Sequence, residues 1–511
     1  MKLDFVKNTK RNIATALGNS FLGLLLPFLN RTLFLWLMAP QYLGLNGLFG
    51  SILGVLSLAE LGFGTAIGYS MYKPVAEDDH ELLCAYLNFY RKVYRCVGSV
   101  IFLGGLCLLP FLPRLVHGDL PPELDLRILY LLHLANTAAS YFLFAYRGSI
   151  LGAYHRYDIL TKIRIIVSLA QYLTVFAILF FTRNYYHYVM ATVGFTMASN
   201  LLILYQARKL YPNLTPRGTL LQEKRQKVVS SVKDLFLHKV GGTITYSFDN
   251  IVISAFLGLT VVAAYGNYFY VFTAVCGLTS AIYGSMQAGI GNRLNLETRE
   301  QNFQLFLKTY RLTAIVVLWC AAMMLALFQP FLQVWTRGKL ELARHFPTAI
   351  LMVLLFYIQQ SRQVVLTFKD AAGLWHQDRW KPLVAGIANL TLNILFVIFL
   401  TDNYKLDGVI LSTILAFLFI QLPWESYTLF HNLFTPKESR LYWQTQARFA
   451  LLACAICPLT WAATLVIPLQ DLPGLAVKAV VAGIAASLLI LALFKNDAKE
   501  LAKKLRGNTK P

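Results

Sequence analysis

The chain has 511 residues, of which 57% are hydrophobic and only 14% charged, and its mean hydropathy is +0.54. A water-soluble fold of this length has too little interior to hide so much apolar side chain, which excludes a soluble enzyme and implies an integral membrane protein. Lys and Arg number 46 against 25 Asp and Glu, a formal net charge of +21 that brings nucleic acid to mind as a partner until the charges are placed along the chain.

Bilayer crossing needs roughly 20 consecutive, mostly apolar residues, and about fourteen stretches qualify. The first six are 13–38, 45–72, 93–112, 128–151, 159–181 and 186–206. The next six are 235–257, 261–290, 312–334, 347–368, 382–400 and 409–429, followed by 449–467 and 475–494. The first follows a basic start (Lys2, Lys7, Lys10, Arg11) and is longer than the apolar core of a signal peptide, so it reads as a retained span. With the N-terminus in the cytoplasm, roughly 36 of the basic residues fall on the cytoplasmic side and about 8 outside. The inside groups include Arg91/Lys92/Arg95, Arg147/Arg156/Lys162/Arg164, Lys224/Arg225/Lys227/Lys233 and the tail Lys499/Lys503/Lys504/Arg506. The positive charge is thus a topology signal, with both termini cytoplasmic and anionic membrane lipids as its partner in place of nucleic acid. Seven cysteines, mostly in apolar segments, argue against a disulfide framework, and the pair Cys454 and Cys457 lacks partner ligands nearby in sequence.

The spans repeat. Lys92-Val93-Tyr94-Arg95 is echoed by Lys308-Thr309-Tyr310-Arg311 about 216 residues later. Pro110-Phe111-Leu112 with Gly118 returns as Pro330-Phe331-Leu332 with Gly338, and Gly152-Ala153-Tyr154-His155 as Gly373-Leu374-Trp375-His376. Six spans per copy is an even number, so the copies share one orientation, related by a pseudo-twofold axis along the membrane normal. The expected architecture is all-α: two parallel, pseudo-symmetric six-helix lobes around a central cavity, plus two C-terminal helices. Residues 1–215 form the first lobe, 216–234 a cytoplasmic connector, 235–435 the second lobe, and 436–511 the two extra helices with a basic tail. External loops are short; the longest, about 113–127, is too small to fold alone.

Catalytic signatures are missing from the sequence. There is no Walker A pattern. Gly62-Phe63-Gly64, with Gly68 beyond, lies inside a span and after no strand, so it serves close helix packing or a bend rather than a dinucleotide. Glu77-Asp78-Asp79-His80 reads as a solvated charge run. Polar groups at membrane depth are the informative ones, since each is costly unless it faces a cavity, a partner or a pathway. They include Asn30, Arg31, Glu60, Asp249, Asn250 and Glu425, together with Asn19, His133, Asn136, Asn267, Gln287, Gln359, Gln360, Arg362, Asn389 and Asn393.

Overlaying the repeats puts Arg31 and Asp249 within about one residue of equivalent positions in spans 1 and 7. Two readings stand. In one, Arg31 contacts an anionic substrate, with Asn30, Asn250, Asn136, Gln359 and Arg362 as further binding groups, and Asp249 pairs with it when the cavity is empty or binds a coupling ion. In the other, the two form a fixed ion pair that orients helices. Asp249, Glu60 and Glu425 are the carboxylates for coupling to an H+ or Na+ gradient or the membrane potential; no cofactor or metal is expected. Lys92, Arg95, Lys308, Arg311, Arg147 and Lys369, at cytoplasmic span ends, either capture an anionic head group or simply snorkel to the interface.

The run Tyr42-Leu43-Gly44-Leu45-Asn46-Gly47-Leu48-Phe49, continuing to Leu58-Ala59-Glu60-Leu61-Gly62-Phe63-Gly64 and Tyr72-Lys73-Pro74, resembles the N-terminal signature of bacterial polysaccharide repeat-unit flippases of the Wzx type. Asp249-Asn250-Ile251-Val252-Ile253-Ser254, followed by Gly258, and the Tyr-Arg pair opening span 3 are similar to the same family. The resemblance covers roughly residues 10–435. It implies membership of the multidrug/oligosaccharidyl-lipid/polysaccharide exporter superfamily, whose fold is two six-helix lobes around a V-shaped cavity. It implies a flippase in the bacterial cytoplasmic membrane that carries undecaprenyl-diphosphate-linked oligosaccharide for capsule, exopolysaccharide or O-antigen. A polymerase and other assembly proteins would be its partners. Spans 13 and 14 look similar to the two extra helices of lipid II flippases, which help form a groove for the lipid tail. The alternatives are a lipid II flippase, a cation-coupled drug exporter of the same superfamily, and a membrane-bound acyltransferase or polymerase.

Overall fold

The computed structural model describes residues 5–60, 62–118, 120–340, 345–467 and 471–494. The expected basic tail from Lys499 to Arg506 lies outside them, as do the side chains of the basic N-terminal residues and of Lys233. Among the described residues there is no strand, and the chain divides into two units, Met1–Ala263 and Ala264–Pro511.

The first unit contains α1 (Phe5–Leu37), α2 (Pro40–Leu56), α3 (Phe63–Ala76), α4 (His80–Leu108), α5 (Leu126–Phe142), α6 (Gly148–Ala153), α7 (Tyr157–Phe181), α8 (Tyr185–Leu210) and α9 (Gln222–Leu257). Helix starts follow local chemistry. Asp79 accepts from Leu82 N, Asp125 from Arg127 N and Ile128 N, and Asn184 from Tyr186 N and His187 N, so each satisfies amides that the helix itself leaves open. Part of the acidic run before α4 is therefore a cap. The expected connector, 216–234, divides between an irregular stretch through Leu221 and the first turns of α9, and α9 packs within the first unit against α2 and α3.

Two spans of this unit are broken. A 3-10 turn, Ser57–Glu60, separates α2 from α3, and Gly62 at φ +90° sets the new direction, a conformation that glycine adopts without strain. Helices α5 and α6 form the other broken span, bent by 41°, with Phe144 in the left-handed region at φ 59°.

Two glycines of the sequence signature stand at close backbone approaches, Gly44 beside Leu259 and Gly258 beside His117. A Cβ on Gly44 would stand 2.1 Å from the Leu259 carbonyl oxygen. Gly258, at φ +94°, would bring a Cβ to 2.9 Å from the His117 carbonyl oxygen. Both positions therefore need a residue with no side chain.

Helix α10 (Leu259–Leu296) starts at the end of the first unit and leads into the second. There follow α11 (Arg299–Thr336), α12 (Phe346–Ser361), α13 (Gln363–Ala371), α14 (Lys381–Phe399), α15 (Lys405–Ala416), α16 (Leu422–Leu433), α17 (Pro436–Leu465) and α18 (Leu472–Leu493). Capping boxes open α11 (Thr298 with Gln301) and α17 (Thr435 with Glu438). A π-turn, Phe417–Gln421, joins α15 to α16. Pro423 has no amide hydrogen to continue the ladder at this point, which accounts for the widened turn. The two C-terminal helices pack on α11: Tyr310 donates to Gln446, Trp319 Nε1 donates to Ser487 Oγ at 3.2 Å, and Phe449 of α17 stacks on Phe494 at 5.2 Å.

The repeat is visible in the backbone. Gly118 and Gly338 both take positive φ, +83° and +69°. In the sequence Gly152 and Gly373 are 221 positions apart, as are Tyr141 and Arg362, which stand near the α5–α6 and α12–α13 junctions.

All fourteen expected stretches fall on helices. Among the described residues, however, ten helices are long and apolar enough to cross a membrane, or up to eleven with α5 and α6 as one span. The second span is interrupted by the 3-10 turn 57–60 and by Gly62, and α9 carries Asp249 and Asn250 among its hydroxyl residues. The long helices turn apolar side chains outward, as Leu173 (68% exposed), Phe399 (79%) and Leu451 (73%) show, which suits hydrocarbon and not water.

Candidate functional sites

Each unit holds its own buried polar constellation. In the first, Glu60 sits at the break of the second span. Its Oε1 accepts from Tyr94 OH at 2.8 Å and its Oε2 from Tyr141 OH at 3.1 Å. Tyr90 OH in turn donates to Tyr94 OH at 2.9 Å. The rings stack edge-on or tilted, Tyr90 to Tyr94 at 4.5 Å and Tyr94 to Tyr141 at 5.3 Å. The carboxylate thus links α4 and α5 to the 3-10 turn through phenols alone.

Nearer the other end of the unit, Arg31 Nη2 donates to the Ala263 carbonyl at 3.4 Å, and Asn30 Nδ2 to Tyr188 OH at 3.0 Å. Asn250 Nδ2 donates to Ser51 Oγ at 2.9 Å, and Asp249 is fully buried. Arg31 and Asp249 lie in the same unit. Asn136 lies apart from them, on a small internal cavity of about 170 Å³ shared with Asn46, His133, Gln171, Tyr172 and Tyr188. Its Oδ1 has no protein hydrogen-bond partner. Space on that scale holds a few waters.

The second unit has a salt-linked chain. Arg362, at the α12–α13 junction, donates from Nε and Nη2 to the two carboxylate oxygens of Glu425 at 2.9 and 2.6 Å. Its Nη2 also reaches Gln421 Oε1 at 2.6 Å, and its guanidinium lies 4.6 Å over the Phe417 ring, so the π-turn wraps this arginine. Lys381 Nζ reaches Glu425 at 2.6 Å and Asp378 at 3.0 Å. Lys369 bridges Asp378 at 3.0 Å and Asp370 at 2.9 Å. Three cations meet three anions, and all but Asp370 are at most 5% exposed. Neutral as a whole, the chain ties α13, α14 and α16 together. A second polar ladder joins α14 to α15: Asn389 Nδ2 donates to Thr413 Oγ1 at 2.9 Å and Ser412 Oγ at 3.2 Å, and Ser412 donates to Asn393.

The expected head-group cations separate into two kinds. Lys92 and Arg95 are exposed on α4, while Lys308 and Arg311 line a surface groove of about 600 Å³ whose cations are offset by Glu297 and Glu300. Arg147 and Lys369 turn inward instead. Arg147 is 3% exposed, with Nη1 on the Leu214 carbonyl at 2.6 Å, and Lys369 joins the ion chain. Arg156, in the turn before α7, is held above its usual range by its hydrogen bond to Asp158 at 2.9 Å.

Sequence reading passed over Lys381, Asp378, Tyr94 and Tyr141. The repeat did contain a signal. In Lys92-Val93-Tyr94-Arg95 and Lys308-Thr309-Tyr310-Arg311 the residue that faces inward in both copies is the tyrosine, bound to Glu60 in one and Gln446 in the other. The basic residues that drew notice flank it on the outer face.

No family model matches this chain, and no curated protein does. Solved structures match it. A lipid II flippase MurJ in an inward closed conformation aligns over 95% of this chain and 99% of its own, at a TM-score of 0.65 and 13% identity. An inward-facing multidrug resistance MATE family transporter of the MOP superfamily aligns over 80% and 94%, at 0.60 and 14%. A MATE transporter from Vibrio cholerae aligns over 84% and 98%, at 0.54 and 13%. The chain has the fold of the MOP transporters. With its apolar helices it is a multi-pass membrane protein.

Proposed function

We propose that this protein is a transporter that flips undecaprenyl-diphosphate-linked oligosaccharide repeat units from the inner to the outer leaflet of a bacterial cytoplasmic membrane, by alternating access. The observation that carries the reading is the extent of the MurJ likeness. It takes in 95% of this chain against 80% and 84% for the two MATE structures, and MurJ is described as a lipid II flippase. The signature runs around Gly44 and Asp249–Gly258 support the repeat-unit branch. A sugar head group cannot cross hydrocarbon unaided, because each unpaired polar group costs roughly several kcal/mol there. Buried amides and charges offer the replacement for its water, and the prenyl tail stays in lipid. In this reading Arg31, Asn30, Asn250, Asn136 and Gln359 serve the cargo, whereas Arg362, 4% exposed and bound to Glu425 and Gln421, holds helices of the second unit together instead. Lys92, Arg95, Lys308 and Arg311 attract its diphosphate. An H+ or Na+ gradient or the membrane potential supplies the work, and a polymerase receives the product. Both termini face the cytoplasm.

The experiment is mass spectrometry of prenyl-linked lipids, with surface polysaccharide, after depletion of the protein. A complete diphosphate-linked repeat unit should accumulate while surface polymer is lost. Accumulated lipid II would favour the peptidoglycan-precursor reading, which the MurJ likeness also supports. An unchanged lipid pool would favour drug export, and an incomplete unit would favour an upstream enzyme.

A further inference from the structure

We propose that the turn between α13 and α14, residues 372–380, binds the phosphate of an anionic phospholipid, with Arg379 as its cation and Trp375 and Trp380 as its anchors in the bilayer surface. Local chemistry fixes which side chains of this turn face outward. Helix α13 ends in a Schellman motif: Gly373, at φ +71°, gives its N–H to the Asp370 carbonyl at 3.1 Å, and Leu374 N–H reaches the Lys369 carbonyl at 3.1 Å. Leu374 then folds inward, 8% exposed, and Asp378 and Lys381 are held inside by the ion chain. With those positions pinned, Trp375 (53% exposed) and Trp380 (50%) turn outward, together with His376 and Gln377. Trp375 is steadied by its Nε1–H bond to Asp370 Oδ1 at 3.0 Å. Arg379 lies 5.9 Å from the centre of the Trp380 ring, and its Nη1 stands within 3.2 Å of the His376 ring nitrogens. That contact spends one of five N–H donors on a neutral imidazole and leaves the charge unmatched. The two carboxylates of the turn are already taken, Asp370 by Lys369 and Trp375, and Asp378 by Lys369 and Lys381.

The place of the turn in the fold names the occupant. It joins two spans, Phe346–Ala371 and Lys381–Phe399, end to end, so it lies where hydrocarbon gives way to head groups. Indole rings settle at that depth, with their apolar bodies in lipid and their N–H groups in the polar layer. A guanidinium between two such rings meets phosphate, which its planar fork fits. The first repeat shows what the same landmark looks like without this role. Gly152-Ala153-Tyr154-His155 matches Gly373-Leu374-Trp375-His376 in sequence. Yet Tyr154 is 6% exposed and stacked on Tyr211 at 4.3 Å, and His155 is stacked on Tyr72 at 5.3 Å. At the spacing that relates Gly152 to Gly373, Arg379 corresponds to Asp158, 1% exposed and paired with Arg156 at 2.9 Å, and Trp380 corresponds to Ile159. The landmark is folded inward in the first unit and turned out in the second, so the lipid site belongs to the second alone.

The inference needs only the membrane class, and it stands or falls apart from any cargo. The full chain is placed in phosphatidylcholine nanodiscs that carry, as a minor component, either phosphatidylglycerol or phosphatidylcholine brominated near the glycerol end of its acyl chains. Tryptophan fluorescence is read for the wild type and for Trp375→Phe/Trp380→Phe, and the difference reports the two anchors. Both brominated lipids should quench it, the anionic one as if about fivefold enriched, the accumulation that one basic residue at the surface gives. The enrichment should shrink in about 1 M salt. Arg379→Gln should remove the preference but keep the quenching, and Arg379→Lys should retain most of the preference. Equal quenching of the wild type by the two lipids overturns the proposal and leaves an ordinary aromatic belt. Absence of quenching by either places the turn away from the bilayer and overturns it too. A preference that survives Arg379→Gln, or that undecaprenyl diphosphate at one molecule per protein abolishes, also overturns it, the latter by giving the site to a prenyl diphosphate. Should the double tryptophan variant fail to fold, wild type against Arg379→Gln decides: equal total quenching by the brominated phosphatidylglycerol overturns the proposal.

Discussion

Neutralising Glu425 should destabilise the second unit more than any other single change in its ion chain. The carboxylate is fully buried and receives three bonds of 2.6–2.9 Å, two from Arg362 and one from Lys381. In Glu425→Gln the two cations fare differently. Lys381 keeps Asp378 at 3.0 Å, but Arg362, 4% exposed, keeps only Gln421 and the Phe417 ring. Removing one partner of a buried pair costs about 3–5 kcal/mol, and the glutamine can still accept one bond, so a loss of about 3 kcal/mol is expected. Arg362→Met should cost less, about 2 kcal/mol, since Glu425 retains Lys381. The double variant Arg362→Met/Glu425→Gln should be more stable than the sum of the singles by about 1.5 kcal/mol or more. Unfolding in mixed micelles, followed by tryptophan fluorescence, measures all three. A Glu425→Gln loss below about 1 kcal/mol, or strict additivity in the double variant, would refute the claim that this chain holds α13, α14 and α16 together.

Three further outcomes are expected. Gly44→Ala should destabilise the first unit by about 1–3 kcal/mol, because its new methyl meets a backbone carbonyl that cannot rotate away; the same unfolding assay measures it. Asn389→Leu should cost about 0.6–1.7 kcal/mol, the range for interhelical hydrogen bonds in membranes, with Thr391→Val on the exposed face of α14 near zero as the control. Arg31→Lys should retain part of the transport measured by recovery of surface polysaccharide, and Arg31→Ala should abolish it; full transport by the alanine variant would remove Arg31 from the substrate site.

Hydrophobic length alone established the membrane class, because solvation in hydrocarbon is a sum over about 20 residues that needs no partner. The tandem repeat was equally legible, and the paired positive-φ glycines Gly118 and Gly338 show that it extends to the turns. Several polar residues were marked by cost alone: Glu60, Asp249, Arg362 and Glu425 stand where a charge is expensive. What each of them touches was not legible. Glu60 meets tyrosines 34 and 81 positions away, and Arg362 meets Glu425 across 63. Tyr141 and Arg362 occupy equivalent repeat positions, yet one donates a phenol and the other a guanidinium, and their partners sit on different helices. The inward turn of Arg147 and Lys369 was likewise hidden, since a cation at a span end looks the same in sequence whether it snorkels outward or finds a buried acceptor. Propensity and hydropathy act along the chain and are written in it. The pairing of buried polar groups depends on which helices meet at which register, and only the packed structure decides that.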